Sequence, residues 1–114
     1  MSELEKAFNL IYFLCYMIPA ILLIAGLPLA LKRIKPNGIY GFRTSDTLAD
    51  PNVWYSVNTI GGISFLIAGS ISILLLFCFQ KYWMVSPILK FCVGFTIPLI
   101  LLFAAILVTL TAPK

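Results

Sequence analysis

Any chemistry in this chain has to come from one short polar stretch. Pro36-Asn37-Gly38-Ile39-Tyr40-Gly41-Phe42-Arg43-Thr44 brings an amide, a phenol, a guanidinium and two glycines together, and Asp46 and Asp50 follow. The planar fork of Arg43 suits a carboxylate or a phosphate, each held by two hydrogen bonds. Arg43 therefore has two readings. It clamps a carboxylate or carbonyl and fixes the segment, or it binds an anion such as a lipid phosphate or a partner's carboxylate. Asp46 and Asp50 are the nearest internal carboxylates; four residues apart, they cap helices or hold Mg²⁺ with help from a phosphate. A hydrolase needs more, either a nucleophile with a base or a metal centre. The sequence has no histidine. Cys15, Cys78 and Cys92 lie in or beside apolar runs without metal-ligand spacing. A thiol there is most simply a small hydrophobe, and the odd count excludes a complete disulfide framework. The expectation is a protein that is not an enzyme, with no catalytic residue, metal or cofactor.

The same stretch predicts its own shape. Asn37-Gly38, with Gly41 three residues on, favours tight turns and positive φ. Ile39, Tyr40 and Phe42 are too apolar for a freely solvated connector. The segment should fold back on the headgroup layer or the helix ends and hold Arg43 in place.

The elements that must position it are membrane spans. The chain has 114 residues, of which 61% are hydrophobic and 11% charged. A soluble domain is nearer a quarter charged, and so short a chain has too little interior to hide that much apolar surface. Three charge-free runs, Phe8–Leu31, Thr59–Gln80 and Phe91–Ala112, each approach or exceed the ~20 residues that cross a bilayer. The first is too long for a cleaved signal peptide. The fold expected is all-α: a three-transmembrane-helix bundle, helices about 5–31, 51–80 and 88–112, one domain over 1–114. Pro19 predicts a bend in the first helix and Pro98 a local kink in the third. Ser2 is a candidate N-cap with Glu5 at capping-box spacing, a frayed terminus being the alternative. Asp50-Pro51 reads as cap and first helical position.

The second helix would then begin before the hydrocarbon, with Trp54 and Tyr55 near the headgroups. Asn58 shares a face with Trp54 and Gly61 and needs a hydrogen-bond partner, either the returning loop or an interfacial group. Gly61, Gly62, Ala68 and Gly69 let backbones approach closely, inside the bundle, at a homodimer seam or around a lipid groove. Gln80 to Trp83 form a second interface, and the short link Met84–Lys90 makes the second and third helices antiparallel neighbours.

Lys32, Arg33, Lys35 and Arg43 in loop 32–53 share a side with Lys114; Lys6, Lys81 and Lys90 lie opposite. Five against three places the loop and C-terminus in the cytoplasm and the N-terminus outside. The cations sit at the ends of apolar runs, which points to topology and anionic headgroups, or to partner docking, and excludes a nucleic-acid partner. No span carries a charge away from its ends, which argues against a proton relay within one copy.

The stretch from Pro36 to Gly62 resembles the signature of the SdpI family of bacterial membrane proteins. Pro36-Asn37, Tyr40-Gly41, Arg43-Thr44, Thr47-Leu48, Trp54, Asn58 and Gly62 fit its successive parts. The resemblance implies a bacterial cytoplasmic membrane protein of the toxin-immunity type. Its named member protects a bacterium from its own secreted toxin and has additional N-terminal helices. The expected function is non-enzymatic, of the immunity or envelope-stress type. A peptide toxin, a lipid or another membrane protein would bind through the bundle and the 36–62 motif. An oligomeric small-molecule or lipid transporter, and a structural accessory subunit of a membrane complex, are the alternatives.

Overall fold

The structure, a computed structural model, describes residues 2–82 and 87–111. It is all-α, and three of its helical stretches, Glu3–Ala30, Pro51–Lys81 and Cys92–Thr111, are long and apolar enough to cross a membrane.

The first stretch is two helices. Helix α1 (Glu3–Leu14) starts at Ser2, whose Oγ accepts the Glu5 N–H at 3.1 Å, with Glu3 and Glu5 in the first turn. Helix α2 spans Met17–Ala30. The single helix expected over 5–31 is thus interrupted at Cys15–Tyr16. The reason is Pro19, which has no N–H to give the Cys15 carbonyl four residues earlier. The bend expected near Pro19 falls one turn ahead of it, where that bond is missing. Helix α2 ends in a Schellman motif: Arg33 N–H donates to the Pro28 carbonyl at 3.0 Å and Lys32 N–H to the Leu29 carbonyl at 3.2 Å. The residue at its left-handed position is Lys32, with φ 59°.

The loop contains a short helix the sequence reading did not place, α3 (Ser45–Ala49). Helix α4 (Pro51–Tyr82) begins at Pro51, with Asp50 Oδ1 accepting the Asn52 N–H at 2.9 Å. Helix α5 (Pro87–Thr111) is helical through Pro98. Trp83 of the second interface and Ala112 of the expected third helix lie outside the described residues.

Helix α4 is the centre of the bundle, packed by α2 along one face and by α5 along another, while α1 leans on α5. The α2–α4 approach is set by glycines. A Cβ on Gly26 would stand 2.7 Å from the Gly62 carbonyl oxygen, and one on Gly69 would stand 2.9 Å from the Pro19 carbonyl. Gly62 and Gly69 are therefore consumed inside the chain, and a homodimer seam built on them has no surface left. Ala68 joins Leu22 and Ala105 in one apolar cluster, and Tyr12, Leu76 and Phe79 form a second towards the other end. There the Tyr12 hydroxyl donates to the Leu76 carbonyl at 2.5 Å.

Candidate functional site

Helix α4 has 32 residues and at 1.5 Å per residue is about 48 Å long, against a hydrocarbon layer of about 30 Å. Its first two turns are free to stand beyond the apolar layer. Trp54 and Asn58 sit on them, and the loop folds onto both.

Asn58 is the anchor. It is 2% exposed. Its Oδ1 accepts the Phe42 N–H at 2.5 Å, and its Nδ2 donates to the Trp54 carbonyl at 2.9 Å and the Phe42 carbonyl at 3.3 Å. One side chain thus satisfies both backbone groups of Phe42, as a neighbouring strand would. The neighbours make room. Gly41 has φ 113°, and a Cβ there would lie 2.8 Å from Asn58 Oδ1 and 3.1 Å from the Trp54 ring. A Cβ on Gly61 would collide with the Phe42 ring. That ring lies over Gly61 and tilts against Phe65 at 5.4 Å between centroids.

Trp54 is fully buried, and its indole N–H donates to the Ile34 carbonyl at 2.9 Å. It is a pillar under the loop rather than a headgroup-facing anchor. Tyr40 reaches the other way: its hydroxyl donates to the Ala25 carbonyl on α2. Burial pushes this phenol above its ordinary pKa, in keeping with a group held as a donor.

The turn before Tyr40 is made by a side chain. Asn37 Oδ1 accepts the N–H groups of Ile39 (2.8 Å) and Tyr40 (2.7 Å), while its Nδ2 donates to the Lys35 carbonyl at 2.7 Å. Of the two loop glycines, only Gly41 takes the positive φ that the sequence suggested. The Asn37 side chain supplies the turn that would otherwise need it at Gly38. Pro36 precedes this turn, exposed.

Arg43 Nη1 donates to the Gly38 carbonyl, tying the ends of the turn together. This is carbonyl clamping, and the outer face of Arg43 stays exposed. Thr44 caps α3. Its N–H donates to Thr47 Oγ1 at 2.7 Å and its Oγ1 accepts the Thr47 N–H at 3.2 Å. Thr47, 1% exposed, also brings its hydroxyl within 3.0 Å of the Phe42 carbonyl. Asp46 lies in the first turn of α3, where negative charge favours a helix start. Among the described residues no cluster of His, Cys, Asp or Glu could hold a metal ion.

Of the sequence candidates, Tyr40, Gly41, Trp54, Asn58 and Gly61 meet directly around Phe42 and the helix ends; Asn37, Arg43 and Thr44 shape the loop they hold; Gly62 faces α2 instead. Sequence reasoning had Thr47 only within the family signature and Phe42 only as a loop apolar, and singled out neither as a site residue. Threonines at 44 and 47 have capping-box spacing, which was the available signal. The Phe42 ring was legible only as apolar. Beside the loop lies a cleft of about 210 Å³ between Tyr40, Phe42, Ala25, Leu29 and Phe65. At the tip, Ile39 is 91% exposed.

The SdpI/YfhL protein family matches over residues 33–113, which is more than half of the chain. The chain belongs to this family. The match begins three residues after the end of α2 and takes in nearly all of the loop with α3, α4 and α5. No curated protein and no solved structure matches. The family places the protein in a bacterial membrane as a multi-pass protein, consistent with an envelope or immunity-type role.

Proposed function

We propose that the protein is a non-enzymatic immunity or envelope-stress protein that binds a membrane-borne partner, a peptide toxin or another membrane protein, at the capped end of its bundle. The observation that carries this reading is the way the motif is spent. Asn58, Trp54 and Tyr40 turn inward and fix the loop, and the fixed loop leaves Ile39 exposed together with Arg43, whose guanidinium is tied to the carbonyl of Gly38, the residue before Ile39. An exposed isoleucine beside a held guanidinium is a surface suited to an amphipathic partner carrying a carboxylate. The excess of cations on the loop side supports a cytoplasmic position for this end, with the N-terminus outside.

The test is survival of a toxin-sensitive bacterium expressing the chain, challenged with its cognate peptide toxin. Protection is expected. Arg43→Glu and Ile39→Asp, both at exposed positions, should abolish it while elution volume and helical content stay unchanged. Failure of the wild type to protect against a cognate toxin would overturn the immunity reading. Protection retained by both variants would remove the capped end as the binding surface.

A further inference from the structure

At the opposite end of the bundle from the loop, the interruption between α1 and α2 opens a groove against α4. It measures about 560 Å³, within the ~300–1,000 Å³ range of small-molecule sites. Its walls are Phe13, Tyr16, Ser70, Leu74, Phe77 and Gln80. They are mostly apolar, with Leu74 and Phe77 lying between the small Ser70 and the amide of Gln80, whose Oε1 accepts the Tyr16 hydroxyl at 3.2 Å. Lys81 follows Gln80, with its ammonium 5.6 Å from the centroid of the Phe77 ring. The cation therefore stands at the polar mouth, over one of the walls.

We propose that this groove is a binding site for one phospholipid with an anionic headgroup, its acyl chain lying between Tyr16 and Leu74 and its phosphate meeting Lys81 and Gln80. Three features select that occupant. The groove lies within two membrane-crossing stretches, Glu3–Ala30 and Pro51–Lys81, so hydrocarbon is the medium at its opening. Its lining is apolar along Phe13, Leu74 and Phe77, as an acyl chain requires, and the paired amide and phenol of Gln80 and Tyr16 stand towards the Lys81 end, at the depth of the ester linkages. Its charge complements a phosphate, because Lys81 ends the span on that side. The groove also has a structural cause: Pro19 breaks the helix at Cys15–Tyr16, and α1 packs mainly on α5 while Tyr12 reaches across to the Leu76 carbonyl.

The experiment reconstitutes the full chain in phosphatidylcholine vesicles containing a small fraction of phosphatidylglycerol spin-labelled on its acyl chain. Electron paramagnetic resonance then reads the motionally restricted fraction. One restricted phosphatidylglycerol per protein is expected, preferred over spin-labelled phosphatidylcholine by about fivefold, the factor for one lysine at an anionic surface. Ser70→Leu, at an exposed position in the groove wall, should remove the restricted component. Lys81→Gln should keep it and abolish the preference. Helical content and elution volume verify folding of both variants. A restricted fraction unchanged by Ser70→Leu, or equal for the two headgroups in the wild type, overturns the proposal. So does displacement of neither lipid by the variants together with saturable uptake of an apolar helical peptide into the same groove.

Discussion

At the scale of single residues, the protein turns on Asn58. An amide buried at the edge of a membrane is costly unless every donor and acceptor is met. Here the carbonyl oxygen meets the Phe42 N–H and the amino group meets two carbonyls. Replacing it by leucine keeps much of the volume and leaves the Phe42 N–H buried without a partner. Asn58→Leu should destabilise the protein by about 1–3 kcal/mol, read as a fall in the thermal unfolding midpoint in detergent. The position was legible in sequence as an amide in need of a partner. Its partner was legible only as the returning loop, one of two alternatives; the residue was not, because Phe42 contributes backbone, and backbone groups carry no residue label. Trp54 shows the opposite failure. Tryptophan at the start of a span ordinarily anchors in the headgroups, but a loop that folds back over it converts the same residue into interior, and the fold-back is a tertiary event.

At the scale of elements, helix starts and the central break followed from local rules. Ser2, Asp50-Pro51 and Pro19 act through hydrogen bonds within four residues, so their effects are written in adjacent sequence. Helix α3 escaped because five residues are too few for any periodicity, and its threonine cap resembles ordinary loop composition. The end of α2 gives a second prediction. Lys32 holds a left-handed conformation, φ 59°, that glycine adopts without the steric cost of a Cβ. Lys32→Gly should therefore stabilise the isolated protein in detergent by about 0.5–1 kcal/mol, measured as a rise in the unfolding midpoint. A fall would mean that the Schellman geometry does not limit this junction.

At the scale of the whole molecule, hydrophobicity decided the architecture. Three apolar runs gave three crossings, and their antiparallel order followed from the loops. The order of packing did not follow. That α4 is central depends on Gly26, Gly62 and Gly69 facing particular backbone atoms of a neighbour, and a stripe of small residues fits an internal contact as well as an external one. The motif between Pro36 and Gly62 unites the scales. Nearly all its inward-facing members hold the loop to α2 and α4, so what the molecule offers a partner at that end is a rigid cap. Amide hydrogen exchange of the protein in lipid nanodiscs, resolved to single residues in segment 36–47, tests this most directly. The Phe42 and Tyr40 amides should be protected as strongly as those of the adjoining turns of α4, and Asn58→Leu should release Phe42 while leaving α4 protected. Exchange of the wild-type Phe42 amide at the rate of an open loop would contradict a fixed cap.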